Sequence, residues 1–147
     1  MSLYFAYASN MDPVQMRRRC PGAAFLRPAC ARGYALAFTR YSTQRKGGSA
    51  DMVEAPEDAV WGALYEVDEE GLRSLDKWEG VPYAYRRGEV EVVDQEGTRY
   101  TAVTYFAHRT GKFLPSKDYV ELIIRGAKAR GLPADYIARL ETIPCRR

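Results

Sequence analysis

Strand patterns run along most of the chain, broken by helical patterns at 12–20 and 68–79, and two further helical patterns close it. Strands are expected at 3–8, at 31–39 ("ARGYALAFT", with Tyr34, Leu36 and Phe38 on one face), at 59–67 ("AVWGALYEV"), at 88–94 ("GEVEVVD") and at 98–107 ("TRYTAVTYFA"). Gln95-Glu96-Gly97 reads as the turn of a hairpin between the last two. "TQRKGGSAD" (43–51) is polar and contains glycines, so a loop is expected there. Asn10 or Asp12 can cap the helix at 12–20, and Pro13 suits its first turn. Ser116 can cap a helix over 116–130, which Gly131 and Pro133 separate from another over 134–142. A chain of mainly strands that ends in two helices predicts an α+β domain with a mixed or antiparallel sheet rather than a parallel doubly wound one.

At 147 residues, 46% hydrophobic and 28% charged, the chain fits one domain spanning 1–147 with ample material for a core. No apolar run approaches the roughly 18 residues a membrane helix needs, so no membrane association is expected. A secretory leader is not visible. Cys20, Cys30 and Cys145 are odd in number and far apart, without CxxC or histidine spacing. A zinc site or disulfide framework is therefore not expected, and a reducing cytoplasm is. The net charge is only +3 and 19 residues are acidic, so Arg17 to Arg19 and Arg146-Arg147 read as solvated faces and no nucleic-acid partner is expected. The eleven tyrosines lie in strand-like runs, where packing alone explains them.

The helix "DEEGLRSLDKWEG" holds an oddly placed carboxylate. Asp68 caps it, Glu69 and Glu70 suit the positive end of its dipole, and Gly80 follows its C-terminus. Leu72, Leu75 and Glu79 fall at i, i+3 and i+7, on the face carrying the helix's only leucines. Desolvation favours the protonated form of such a carboxyl, and the negative end of the dipole opposes its charge by about 0.3–1 kcal/mol. Both raise its pKa toward neutrality, where a carboxylate can move protons. Two readings stay open: a proton-transfer group, or a long side chain that bends to solvent or pairs with Arg86 or Arg87. Asp76, one turn after Leu72, is expected to be exposed.

"YFAYASNM" (4–11) passes from a strand into small polar residues at the edge of a helix. Backbone N–H groups left unpaired in such a turn can meet an anion or a developing oxyanion, and Ser9 and Asn10 can add side-chain hydrogen bonds. An ordinary capped strand-to-helix connection has the same pattern.

"YFAYASNM" resembles the "YFAYGSN" opening of the γ-glutamylcyclotransferases, and "LDKWEGV" is similar to their "LDxxEGV" segment, whose glutamate would be Glu79. "GGSADMVEAPEDAVWGALYEV" resembles the family's GG…VWG region, and "YVELIIRGAKARGLPADYIARL" its GAK-x-x-GLP segment. Four such segments in order cover nearly the whole chain. The resemblance implies a compact mixed β-barrel flanked by helices, with no metal and no organic cofactor. It implies an enzyme in which a γ-glutamyl α-amine attacks its own γ-carbonyl carbon, closing 5-oxoproline and releasing an amino acid or amine. Glu79 would be the general acid/base, and the loop at 7–10 would meet the oxyanion. Tyr4, Phe5, Ala6, Tyr7, Ala8, Ser9 and Asn10 would form the substrate-binding strand and loop. Tyr105 and Tyr119 align with pocket tyrosines, and Tyr85 does so more loosely, through a "VPYAY" segment one residue shorter than in some relatives. A homodimer is compatible with the resemblance.

One departure is Ala8, where the family usually has glycine. If that glycine serves a positive φ, alanine is strained by roughly 1–2 kcal/mol; if it allows close approach, the methyl narrows the pocket. Three functions follow: a cyclotransferase for γ-glutamyl amino acids, the same chemistry unmasking a γ-glutamyl-protected amine in a biosynthetic pathway, or a non-catalytic module binding a small ligand or RNA. A buried base argues against the third. A nucleophile built from Cys20 or Cys30 with His108 is unconvincing because the three are scattered.

Overall fold

The hairpin expected near 88–107 forms as β4 (Tyr85–Asp94) and β5 (Arg99–Ala107) in the computed structural model, which describes residues 1–147. Asp94 shapes its turn, accepting hydrogen bonds from the N–H groups of Glu96 and Thr98, each at 2.9 Å. The other strands are β1 (Ser2–Ala6), β2 (Ala24–Ser42) and β3 (Gly47–Val67). They close a barrel in the order β1-β3-β2-β4-β5. Every pairing is antiparallel except the closing one, where β1 meets β5 in parallel with Tyr4 opposite Val103. Four helices flank it: α1 (Pro13–Arg19), α2 (Glu69–Glu79), α3 (Lys117–Ala129) and α4 (Ala134–Leu140). The class is α+β with a mixed sheet, as the order of segments predicts. No helix is long and apolar enough to cross a membrane.

The long β2–β3 ribbon differs from the expectation. The segment at 31–39 is the middle of a 19-residue strand, and 59–67 is the second half of a 21-residue one. The loop expected at 43–51 shrinks to a turn at 43–46, with β3 starting at Gly47. Register shifts between Phe25/Arg27, Arg32/Tyr34 and Phe38/Arg40 explain why. Each one resets which residues face inward, so a long strand loses the two-residue alternation by which a sequence announces it. β1 is shorter than 3–8, because Ser9–Met11 already winds into one 3-10 turn.

Phe5, Leu64, Tyr65 and Val92 from the barrel share one core with Met11, Met16, Leu75 and Ile123. Burying a large apolar side chain contributes roughly 1.5–3 kcal/mol, so this cluster dominates the stability. One charge lies fully inside: Asp51 accepts from Thr39 Oγ1 (2.9 Å), Arg109 Nε (2.8 Å) and the N–H groups of Met52 and Ala107. It is tolerated because its oxygens are satisfied, and it ties β2, β3 and the end of β5 together.

The stretch after β1 is clamped from outside. Asp12 caps α1 by accepting from Gln15 N–H (3.0 Å) and pairs with Arg125 of α3 (3.1 Å). Next to Arg125, Gly126 lets α3 sit directly on the 3-10 turn. A Cβ there would stand 2.6 Å from Asp12 N and 2.7 Å from the Met11 carbonyl carbon. Gly126→Ala gains about 1 kcal/mol of helix propensity. The clash with fixed backbone costs about 1–3 kcal/mol and outweighs that gain. The variant should therefore unfold at lower urea concentration than the wild type; an unchanged or higher midpoint would mean that α3 is not pressed against the turn.

Candidate active site

Glu79 is the last residue of α2, and the helix ends where Gly80 turns left-handed at φ 69°. Asp68 caps the other end, accepting from Gly71 N–H at 2.7 Å. Leu72 and Leu75 are buried, so the leucine face packs inward as its spacing predicts, and Glu79 follows it. The side chain opens on a cavity of about 320 Å³. This cavity lies at the end of the barrel where β1, β2 and β5 finish and β3 and β4 begin. The residue as a whole is only half-buried, because it forms part of the cavity wall. Its carboxyl lies deep among protein atoms, and burial raises its pKa to about 7; Arg19 and then Arg45 pull the other way through space.

The alternative pairings for Glu79 are not formed. Arg87 pairs with Asp76, and Arg86 lies over the Phe106 ring at 4.7 Å. Asp76 is thus not the exposed residue its helical position suggests. It takes two hydrogen bonds from Arg87 and a third from Tyr105 OH (2.6 Å), which fixes the Tyr105 ring in the cavity wall.

Opposite Glu79 stands the opening loop. Tyr4, Tyr7, Ala8, Ser9 and Asn10 all line the cavity. Phe5 and Ala6 do not. Phe5 points to the other side of β1, its ring against the Gly62 position and 6.4 Å from the Tyr7 ring, and Ala6 is buried at the strand's end. Within the 3-10 turn the N–H groups of Met11 and Asp12 donate to the Ala8 and Ser9 carbonyls, at 3.1 and 3.0 Å. That of Ala8 donates to no backbone carbonyl. Ala8 has φ −134°, so alanine meets no left-handed strain here and its methyl is simply part of the cavity wall.

Asn10 organises the loop. Its Nδ2 donates to Tyr4 OH (2.9 Å), and its Oδ1 accepts from Gln15 Nε2 (2.9 Å) and Arg19 Nη1 (3.2 Å). Its carbonyl accepts from Tyr65 OH at 2.9 Å. Tyr7 OH donates to the Tyr105 carbonyl (2.6 Å), Tyr85 OH to the Ala50 carbonyl, and Tyr119 OH accepts from Ala50 N–H (3.1 Å). Burial raises the phenols of Tyr4, Tyr7, Tyr85, Tyr105 and Tyr119, that of Tyr119 to about 12. They stay neutral at physiological pH and present hydroxyls, not phenolates.

Among the cavity residues that escaped sequence reasoning are the two whose charges act on Glu79. Arg19, read as part of a solvated basic run, turns inward over the Trp78 ring at 4.8 Å, while Arg17 and Arg18 remain exposed. Ser74 Oγ, donating to the Arg19 carbonyl (2.6 Å), holds the end of α1 against α2. Arg45, in the short turn between β2 and β3, lies over the Tyr119 ring at 5.0 Å and donates to Gln15 Oε1 at 2.9 Å. A count of charges along the chain carries no trace of either orientation. Cys20, Cys30 and His108 are not brought together at the cavity: Cys20 packs near α2, Cys30 is in β2, and His108 is exposed just past β5.

The sequence profile of the AIG2-like family matches residues 59–140. The human protein named gamma-glutamylcyclotransferase is 36% identical over 146 residues, covering 96% of this chain and 78% of its own. The bovine protein of that name is 37% identical over the same spans. A solved structure described as a gamma-glutamyl cyclotransferase superposes with a TM-score of 0.95 at 35% identity, covering 99% of this chain and 89% of the other. Bacillus subtilis YkqA gives 0.82 at 26% identity over 99% of this chain and 56% of its own. On sequence and architecture together, the chain belongs to the AIG2-like, γ-glutamylcyclotransferase family.

Proposed function

We propose that this protein is a γ-glutamylcyclotransferase in which Glu79 is the general acid/base. The observation that carries this reading is the Glu79 carboxyl, buried, poised near pH 7, and sharing one cavity with Ala8, Ser9 and Asn10. The chemistry asks for a base, a clamp for negative charge and a space that folds the substrate on itself. A γ-glutamyl α-ammonium cannot attack until it loses a proton. Glu79 takes it, the freed amine adds to the γ-carbonyl carbon, and the carbonyl oxygen becomes negative.

The N–H groups of the Ala8–Asn10 turn, that of Ala8 free of any backbone carbonyl, are suited to that oxygen, and such donors are worth about 3–4 kcal/mol each when removed. As the tetrahedral centre collapses, the C–N bond to the leaving nitrogen breaks and Glu79 returns the proton there. In all, two protons leave the attacking nitrogen and two reach the leaving one. 5-Oxoproline and an ammonium-bearing product form, and Glu79 ends ionised, as it began. The neutral tyrosines around the cavity hold the folded substrate, and this orientation contributes at least as much as the oxyanion donors. The three free cysteines suit a reducing cytoplasm, and residues 1–147 act together as one catalytic domain.

Purified protein should release 5-oxoproline from γ-glutamyl-alanine. Glu79→Gln should lower kcat/KM by about 10²–10⁴-fold, the usual contribution of a general base, while keeping its circular dichroism. Equal rates would remove Glu79 from the mechanism. In the wild type, kcat/KM should rise with pH through about 7 as the free enzyme's Glu79 ionises, and the variant should lose that limb.

The same carboxyl sets a stability difference. Its folded-state pKa of about 7 lies above the unfolded value of 4.5, so the folded state prefers the protonated form. That preference is fully present below pH 4.5 and lost as pH rises through 7. Relative to wild type, Glu79→Gln should therefore be more stable at pH 8.5, by up to about 3 kcal/mol, with the gap closing toward pH 4. Urea midpoints at the two pH values read the difference; a gap independent of pH would mean that the carboxyl is not desolvated.

A further inference from the structure

Several arginines of the molecule pair with carboxylates, but two that line the cavity do not. Arg27, Arg87, Arg109, Arg125 and Arg139 each face an aspartate. Arg19 and Arg45 have only neutral partners: Asn10 Oδ1 and the Trp78 face for one, Gln15 Oε1, Ser9 Oγ and the Tyr119 face for the other. Asp118 and Glu121 of α3 border a neighbouring groove on the outer side of Arg45, but neither pairs with it, and Glu121 is turned to Lys117. Arg40 also lines the cavity, but its guanidinium donates to the His108 carbonyl, and it is not among the charges that act on Glu79. Near the base the wall thus carries two guanidiniums without counter-ions and one carboxyl.

That set is the charge complement of a γ-glutamyl amino acid, which carries one ammonium and two carboxylates. The γ-glutamyl end bears its ammonium and carboxylate on the same carbon, so it needs an anion and a cation side by side. Glu79 and Arg19 are suited to supply them, because Arg19 lies over the ring of Trp78, the residue before Glu79, and is the stronger of the two charges acting on Glu79. Arg45 is then left over for the second carboxylate. On the cyclotransferase reading above, we propose that Arg45 is a specificity residue that binds the carboxylate of the leaving amino acid, so that the enzyme favours γ-glutamyl amino acids over γ-glutamyl amines. A substrate without that carboxylate leaves a guanidinium in the wall unmatched, and charge-assisted hydrogen bonds of this kind are roughly twice as strong as neutral ones.

γ-Glutamyl-alanine and γ-glutamyl-ethylamide differ only in that carboxylate, which makes them the test pair. Wild-type kcat/KM should favour the alanine compound by about tenfold or more. Arg45→Gln should lose about tenfold more on the alanine compound than on the ethylamide, chiefly through KM, and Arg45→Lys should restore part of the preference. Equal wild-type rates on the two compounds, or a parallel loss on both in Arg45→Gln, would overturn the role of Arg45 while leaving the cyclotransferase reading in place. Turnover of neither compound by wild type would overturn both.

Discussion

A carboxyl group taken out of water resists ionisation, and this site depends on how far that resistance is allowed to go. Burial alone would hold Glu79 protonated at neutral pH and useless as a base. Full exposure would leave it near 4.5, ionised but too weak to take a proton from an ammonium. Two guanidiniums without counter-ions, Arg19 and Arg45, act against the burial and leave the carboxyl at about 7. The rest of the architecture can be understood as what keeps these groups in place. The C-terminus of α2 brings the carboxyl to the mouth of the barrel, Ser74 fastens α1 to α2, and Asn10 and Gln15 brace the arginines.

Asp76 and Glu79, one helical turn apart, show how strongly surroundings divide two carboxylates. Asp76 is gripped by Arg87 and Tyr105, so its oxygens are committed to holding a wall residue. Glu79 has charges nearby but no ion pair, so its oxygens remain open to a ligand. Both sit on the same side of α2, and the difference lies in β4 and β5, which place Arg87 and Tyr105 beside the earlier residue. A helix can present carboxylates; only the sheet against it decides which one is free.

This division marks what a sequence can and cannot disclose. The position of Glu79 was legible because helix periodicity is local: Leu72, Leu75 and Glu79 share a face whatever surrounds them. The β4–β5 hairpin, the Asp68 cap and the α3 cap at Ser116 were legible for the same reason. The inward turn of Arg19 and Arg45 was not, because it arises where α1, α2 and the β2–β3 turn meet, through contacts between residues far apart in the chain. The loop expected at 43–51 failed instructively. Gly47-Gly48 reads as turn chemistry, yet both lie in β3 because the chain after β5 crosses them closely, Gly48 N–H donating to the Leu114 carbonyl at 2.9 Å. A glycine required for close approach and one required for a turn look alike until the partner is known.

The charges that gather the substrate are also suited to letting the products go. In the proposed binding mode the substrate's ammonium would face Glu79 and its carboxylates the two guanidiniums, so every charge near the base would have an opposite. Cyclisation turns the attacking nitrogen into a neutral lactam, and Glu79 loses its partner in the same step. The positive charge reappears on the leaving nitrogen, beside the carboxylate that Arg45 is proposed to hold, so the departing amino acid would bring an ammonium toward a guanidinium. Each product therefore matches the wall less well than the substrate did. A site that binds its reactant by paired charges and then shifts one of them needs no separate device to avoid being held by what it makes.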